Sequence, residues 1–409
     1  MIQVAIMGHG VVGSGVAEIL LSHKESLKKK VHEEISIKKI LDLREFSGLS
    51  YSDKFTKDFN DIVSDDEIKV VAEVMGGVNP AFDFVKRCLE ANKSVVTSNK
   101  ELVAKKGAEL LAIAKEHNVN FLFEASVGGG IPIIRPLNNC LVANDVDEIA
   151  GILNGTTNFI LTKMITESMA FEDALKLAQE LGYAERDPSA DVEGHDACRK
   201  ICILASLAFG KHVYPDNIHT EGITNIALED VEYANQWGGV IKLIGDVKNT
   251  ENGLLDIFVA PMLISNESQL SSIDDVFNGI LVRGDSTGDV VFYGKGAGKL
   301  PTASAVVADI VDCVKHISAR KYLFWSDCDG SNILPYNESI SAMYVRANGN
   351  IKVVQSVFEE IVQLNRKGAP KGEIAFTTAE MKVKEFNEKI EQLKNNGVDI
   401  LNTIRIGDL

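Results

Sequence analysis

Hydrophobic positions along the first 135 residues alternate between two rhythms. Gln3 to Met7 is a short apolar run ending in glycines, and from Val12 to Leu21 the apolar positions take a helical spacing. Ile35 to Leu41, Val70 to Met75, Ser94 to Thr97 and Val119 to Phe123 read as further strands. Between them, Pro80 to Ala91 and Gly107 to His117 carry apolar residues at three- and four-residue intervals, which predicts helices. Alternation of this kind implies an α/β fold, a parallel sheet covered by helices on both faces.

The grammar changes near residue 136. Val146 to Asn154 reads as a strand, and Phe159 to Thr166, Phe171 to Leu181 and Asp196 to Phe209 read as helices, the last apolar on most sides. Asn252 to Pro261, Asn278 to Arg283 and Gly288 to Tyr293 follow as strands, then Thr302 to His316 as a helix. The looser interleaving predicts an α+β domain with a mostly antiparallel sheet. Lys321 to Glu338 has turn residues and no period, so it reads as a linker. Beyond it, a βαββαβ order over Ser341 to Ile406 predicts a small ferredoxin-like module. The division expected is 1–135, with the helix 302–318 packing back onto it, then 136–301, a linker 319–338 and a module 339–409.

Composition narrows the function. The 409 residues suffice for two or three domains of about 150. With 58 acids against 42 bases the formal net charge is -16. That balance speaks against nucleic acid, whose phosphates demand basic surface, and against an anionic membrane face. The longest apolar run, Ile201 to Phe209, is too short to span a bilayer, and no basic stretch precedes the first apolar run as in a secretory signal. Six cysteines form no CxxC pair or disulfide framework, which fits a reduced, cytoplasmic compartment.

Gly8-His-Gly10-Val-Val-Gly13 follows a strand and opens a helix, the context in which GxGxxG marks a Rossmann-type dinucleotide-binding domain. Gly8 makes the turn, Gly10 lets a pyrophosphate approach, and Gly13 packs helix on strand. The helix N-terminus at Val11 and Val12 then faces the anion. Asp42 ends the second strand, 29 residues past Gly13 instead of about 20, and the polar stretch Ser22 to Glu34 accounts for the excess. Asp42 suits a ribose hydroxyl whereas Arg44 suits a phosphate, so the two signals conflict. Thr97-Ser-Asn-Lys100 lies at the carboxyl end of the fourth strand, where ligands of open α/β sheets bind.

Asp196 and Lys200 stand four apart, a spacing that also makes exposed ion pairs of little consequence. Lys200, however, shares its stripe with Ile203 and Leu207. A lysine there is costly unless paired or used, and burial lowers its pKa toward that of a proton donor. Upstream, Glu185, Asp187, Asp191 and Glu193 line a helix end and turn. One or two can hold a substrate ammonium while others cap the next helix. His195, Cys198 and Cys202 share helical spacing without a fourth ligand nearby, which fits buried thiols better than a metal site. The glycine segments 124–132, 154–158 and 293–298 either face a ligand with their backbone or are plain turns.

Taken together, these strings resemble homoserine dehydrogenase from residue 1 to about 318. The matching segments are Gly8 to Gly13, Val95 to Leu102, Phe123 to Pro132, Gly151 to Asn158, Gly182 to Lys200 and Gly294 to Thr302. The resemblance implies interconversion of L-homoserine and L-aspartate 4-semialdehyde with NAD or NADP, in threonine, methionine and isoleucine biosynthesis. It makes Lys200 the proton donor to the aldehyde oxygen and Lys100 a second active-site lysine near cofactor and substrate. Glu185 and Asp196, with Asp191 close by, become homoserine ligands. Thr97, Gly182 and Gly298 become cofactor contacts beside the Gly8 to Gly13 turn, Asp42 and Arg44.

A sodium ion is implied at Glu124 and the carbonyls of Val127, Gly129 and Ile131, an oxygen set that suits a hard cation. At Gly128 the family more often has alanine, which implies a more flexible loop here. A homodimer or homotetramer is implied as well. The C-terminal module resembles an ACT domain, but Ala347 to Ile351 lacks the acid-then-glycine turn, so threonine is expected to inhibit poorly. Two other readings are an aspartate-semialdehyde dehydrogenase and a catalytically silent dinucleotide sensor. The first needs a nucleophilic cysteine, for which Cys88 and Cys140 lack the context. Both lysines and Glu185 argue against the second.

Overall fold

Six short apolar segments pair in parallel to form the sheet of the first unit: β1 (Ile2–Met7), β2 (Ile35–Leu41), β3 (Phe55–Thr56), β4 (Ile68–Glu73), β5 (Ser94–Thr97) and β6 (Phe121–Leu122). Their order is β3-β2-β1-β4-β5-β6. Val4 to Met7, Val70 to Ala72 and Val95 to Val96 are fully buried, the unbroken apolar runs of strands covered on both faces. The chain leaves β1 toward one edge and returns to β4 on the other side. The carboxyl ends of β1 and β4 are therefore the switch point, where such sheets bind ligands. Helix Val11–Ser22 packs on helix Lys299–Lys315 so closely that a Cβ on Gly15 would come 2.9 Å from that of Ala303.

This computed structural model describes residues 1–321 and 323–409, in two units. The first comprises Met1–Asp145, Cys202–Asp216 and Gly294–Ser331, and the second Val146–Ile201, Asn217–Tyr293 and Asn332–Leu409. In the second unit lie β7 (Val146–Ile152), β8 (His219–Thr220), β9 (Gly239–Asn249), β10 (Leu255–Ser265), β11 (Phe277–Gly284) and β12 (Gly288–Lys295), whose last two residues belong to the first. It continues with β13 (Ile340–Asn348), β14 (Ile361–Leu364), β15 (Glu373–Thr378), β16 (Met381–Lys382) and β17 (Asp399–Gly407). The sheet runs β12-β11-β7-β9-β10-β17-β13-β15-β14, with β8 added at β10 and β16 at β13. Helix His195–Phe209 covers one face, where Ile201 lies against Gly245 of β9.

The last four strands along that path keep the order β17-β13-β15-β14 with helices Ile351–Val357 and Val383–Asn395, the ferredoxin-like arrangement. Their core gathers Val345, Val354, Phe358, Phe376, Phe386 and Leu393. The expected isolation of 339–409 is not what the structure has. Strand β17 pairs in parallel with β10 through Met262 and Arg405, so the module extends the sheet of β7 to β12.

The stretch read as a linker is also packed. Trp325 is buried and donates Nε1 to His212 Nδ1 at 2.8 Å. The amide of Leu255 donates to the Asn332 carbonyl, and the Leu255 carbonyl accepts from Leu334. Tyr322, within the expected linker, lies outside the described residues. Strand β9 and helix Leu228–Trp237 escape the hydrophobic pattern, because buried Lys242 and Asp246 interrupt the apolar rhythm of β9. The helix expected over 107–117 starts earlier, at Lys100, because Asn99 caps it by accepting from Leu102 N.

Candidate active site

The glycine turn is built as the fingerprint requires. Gly8 has φ +98, and a Cβ on Gly13 would come within 2.0 Å of the Gly8 carbonyl oxygen, so only glycine lets the helix close on the turn. Nothing lies within 4 Å of where a Gly10 Cβ would stand. The helix beginning at Val11 and Val12 has no side-chain cap and no acid in its first turn, which leaves its N–H groups to an anion. A cavity of about 460 Å³ adjoins the turn, lined by Gly8, Gly10, Asp42, Arg44, Met75 and Phe84 among others. Open space above Gly10 and the uncapped helix fit a dinucleotide.

Asp42 is held on all sides. Its Oδ2 accepts from His9 N at 2.8 Å and Arg44 Nη2 at 2.9 Å, and its Oδ1 from Arg44 N and Nε, both at 3.0 Å. The Arg44 guanidinium holds the carboxyl well below the usual range. The conflict between the two residues is thus resolved locally as an ion pair.

At the end of β4, Glu73 is wholly buried. Its Oε1 accepts from Met75 N at 2.8 Å and its Oε2 from the Thr97 hydroxyl at 2.6 Å. Thr97 Oγ1 accepts in turn from Asn99 N, whose side chain donates to the Gly77 carbonyl. Lys100 is the next residue and half-buried. Burial pushes the Glu73 carboxyl up. Sequence reasoning missed Glu73, since one acid closing an apolar run carries no motif.

In the second unit, Lys200 is buried and donates to Asp196 Oδ2 and to the Leu153 carbonyl, each at 2.7 Å. Asn154 Nδ2 donates to Asp191 Oδ1 at 2.7 Å and to Asp196 Oδ2 at 2.9 Å, while its Oδ1 accepts from Thr157 N and caps helix Gly155–Glu167. Three of the expected residues, Asp191, Asp196 and Lys200, therefore meet around Asn154. In the sequence, Asn154 stands out only as part of the glycine segment 154–158. Glu185 is exposed on the turn after helix Phe171–Glu180 and joins none of these bonds. Gly182, with φ +76, lies on the same turn, and Gly298, with φ +124, opens helix Lys299–Lys315 in the first unit.

The sodium expectation needs correction at Glu124. Its Oε1 accepts from the amides of Ile133 and Ile134, and its Oε2 from Arg135 N and Nε, at 2.6–3.0 Å. Four donors use the carboxylate, and the Arg135 guanidinium already supplies a cation, so this side chain does not fit as a metal ligand. That leaves only main-chain oxygens such as those of Val127, Gly129 and Ile131. Among the described residues, no group of three or more His, Cys, Asp or Glu is placed to hold a metal. Nor is the loop loose at Gly128, where a Cβ would come 2.5 Å from the Ile131 carbonyl oxygen. Asp309 is fully buried behind it, accepts from Glu124 N at 2.8 Å, and is pushed up to about 8 by burial.

The glycine turn at the switch point and a buried lysine–aspartate pair define an NAD(P)-dependent oxidoreductase. Comparison with known proteins gives the particular family. The family model for homoserine dehydrogenase matches residues 132–311, and that for the homoserine dehydrogenase NAD-binding domain matches residues 8–124. The homoserine dehydrogenase of Bacillus subtilis is 36% identical over 99% of this chain and 97% of its own length. That of Lactococcus lactis is 42% identical over 77% of this chain and 74% of its own. A crystal structure of a homoserine dehydrogenase from Thiobacillus denitrificans has TM-score 0.91 and 35% identity, covering 100% of this chain and 98% of that one. The chain belongs to the homoserine dehydrogenase family.

This reading prevails over a silent sensor and over an aspartate-semialdehyde dehydrogenase. Cys88, one of the two candidates weighed for the nucleophilic cysteine the latter needs, is buried with its thiol pushed up to about 12. No described helix is long and apolar enough to cross a membrane.

Proposed function

We propose that Lys200 gives the proton to, and takes it from, the substrate oxygen as L-aspartate 4-semialdehyde and L-homoserine interconvert. The observation that carries this is the pinning of its ammonium between Asp196 and the Leu153 carbonyl at the end of β7. When bound, the nicotinamide supplies or accepts the hydride at the carbonyl carbon. Lys200 stabilises the developing alkoxide by its charge and its proton. Asp196 orients the lysine, and with Asp191 and Glu185 it sets a negative field for the substrate ammonium. Asn154 fixes the spacing of the two aspartates. Lys100 adds a second cation, oriented through Asn99, Thr97 and Glu73.

The turn from Gly8 to Gly13 takes the pyrophosphate, Asp42 turns toward the ribose, and NAD(H) serves at least as well as NADP(H). Gly182 and Gly298 provide open backbone for the cofactor. The enzyme assembles as a homo-oligomer. In the C-terminal module, the turn that an effector would occupy is filled from within. Asn350 accepts from Lys352 N, and Gly349 N donates to the Gly372 carbonyl, which supports poor inhibition by threonine.

The Lys200→Met variant is expected to keep the fold and cofactor binding while kcat for aspartate semialdehyde reduction, followed as NAD(P)H oxidation, falls at least ~10²-fold. A folded variant with near wild-type kcat sinks the assignment.

A further inference from the structure

His9 stands between Gly8 and Gly10 and is the one titratable side chain of the glycine turn, yet the chemistry above leaves it unused. It is 6% exposed and lines the cavity that adjoins the turn. Three rings surround it edge-on, with centres 4.6 Å away for Phe46, 5.0 Å for Phe55 and 5.8 Å for Tyr51. Its Nε2 meets the Tyr51 hydroxyl at 3.2 Å, and among the described residues its Nδ1 has no hydrogen-bond partner. Phe46 and Tyr51 lie between β2 and β3, and Phe55 opens β3, so the imidazole is the post against which this segment rests.

These surroundings favour a neutral ring. An imidazolium carries two N–H donors, and Nδ1 faces no acceptor. Burial accordingly pushes the His9 imidazole below its ordinary 6.5. The charges that face it oppose one another. Asp42, which accepts from His9 N at 2.8 Å, stands against the cations of Arg44 and Lys299. Arg44 is itself paired with Asp42, and Lys299 with Glu18 at 2.7 Å. Burial pushes the Tyr51 phenol up, so it stays uncharged. A dinucleotide upsets this balance. With its pyrophosphate on the amides that begin at Gly10 and Val11, it brings two negative charges to the residues next to His9, and in a partly buried site such charges act more strongly than in water. An opposite charge nearby favours the charged form of an ionisable group.

Resting on that placement of the pyrophosphate, we infer that His9 is neutral in the free enzyme and takes up a proton from solvent when the dinucleotide binds, its imidazolium countering the pyrophosphate at the glycine turn. In the charged ring the Tyr51 hydroxyl accepts from Nε2. The sign of the linkage follows. Cofactor affinity is greatest at acid pH, falls as the pH rises from the His9 pKa of the free enzyme to the higher one of the complex, and is flat beyond.

The test titrates NADH, whose pyrophosphate stays fully ionised near neutrality, into the full-length protein by calorimetry in buffers of different ionisation enthalpy. Binding is expected to take up a fraction of a proton near pH 6.5 and almost none at pH 8.5, with Kd rising about tenfold between those limits, the effect of one pKa unit. His9→Phe keeps the ring packing, and His9→Gln keeps a polar partner for Tyr51. Each is expected to abolish the uptake and flatten the pH dependence, with circular dichroism unchanged. A second reading comes from the imidazole resonances of the histidine-labelled wild type, in which one of the eight histidines is expected to titrate at higher pH once NADH is added. NADH binding without proton uptake, uptake that survives both substitutions, or no histidine so shifted overturns the inference and leaves the placement of the cofactor standing. That placement has its own control. Nothing lies within 4 Å of a Gly10 Cβ, so Gly10→Val is expected to keep the fold and lose NADH at every pH. Unchanged affinity in Gly10→Val would move the pyrophosphate elsewhere and overturn the inference with it.

Discussion

In the first unit two buried acids sit where strands run out, and a third, Asp309 within helix Lys299–Lys315, serves the loop after one of them. Glu73 closes β4, Glu124 follows β6, and Asp309 faces the Glu124 amide; each accepts backbone N–H groups that no strand or helix uses. In the second unit buried charges lie within regular elements: Lys242 and Asp246 on β9, Arg346 on β13 and Arg405 on β17, with Asp196, Lys200 and Asp230 on helices. Lys242 reaches the Ile273 carbonyl, Asp274 and Asn158, all from other elements. Charge at a strand end shapes a loop and leaves the apolar rhythm of the strand intact. Charge within a strand ties one element to another and breaks that rhythm.

The contrast is most sharply tested at Asp230, on helix Leu228–Trp237. Fully buried, it accepts from Arg346 Nε at 2.7 Å, Asn402 Nδ2 at 2.8 Å, Tyr344 Oη at 3.0 Å and Ala227 N at 3.0 Å, and so ties β13 and β17 to its own helix within the second unit. Asp230→Ala leaves the Arg346 charge only the longer pair with Glu373, 3.7 Å from its Nη1, and denaturant unfolding is expected to show a loss of about 3–5 kcal/mol. A loss no larger than that of an average surface substitution would mean that sheet pairing alone holds the module.

Glu73→Ala is the counterpart at a strand end. It abandons the Met75 amide and the Thr97 hydroxyl but no charge, so the expected loss is smaller, about 1–3 kcal/mol. Cofactor affinity should fall with it, because the loop before Lys100 loses its anchor. Equal losses at Asp230 and Glu73 would erase the distinction.

Asp309 adds a pH signature to the first unit. Its folded pKa, about 8, lies above its ordinary 3.8, so the fold favours the protonated form. The stability it contributes is complete below about 3.8 and is lost as the pH rises toward about 8, at up to about 1.4 kcal/mol per unit. Asp309→Asn should flatten the decline between those limits. An unchanged slope would show that Arg135, 3.4 Å away, keeps the acid ionised.

The same placement of charge decides what could be read from the sequence. Ile35–Leu41 and Ser94–Thr97 match their expected bounds because nothing polar interrupts their buried positions. Strand β9 was invisible because Lys242 and Asp246 look like surface residues until their partners arrive from distant parts of the chain. In the candidate site, Lys200 and Asp196 were legible as an i,i+4 pair on an apolar stripe. The link to Asn154 was not, since its partners Asp191 and Asp196 are 37 and 42 residues away. The Arg135 guanidinium on Glu124 was likewise hidden, since Arg135 lies three residues beyond the glycine segment 124–132.

The smallest effect is expected where the comparison narrows to two acid–base pairs. The side chains of Asp196 and Lys200 are 4% and 9% exposed, whereas those of Asp42 and Arg44 are 9% and 62%. The buried pair is fixed by its surroundings. Arg44 projects into water, so it can swing off Asp42 with little penalty, because solvent replaces what the pair gives up. Once released, Asp42 can accept from a ribose hydroxyl, and its charge repels a 2′-phosphate. NAD(H) should therefore serve at least as well as NADP(H). Asp42→Asn should lower kcat/KM for NAD(H) by about tenfold or less, the size of one hydrogen bond, while that for NADP(H) holds or rises. Arg44→Ala should touch only the NADP(H) reaction. A clear wild-type preference for NADP(H), lost in Arg44→Ala, would reverse the roles: the arginine would then be reading a phosphate, with Asp42 serving to aim it.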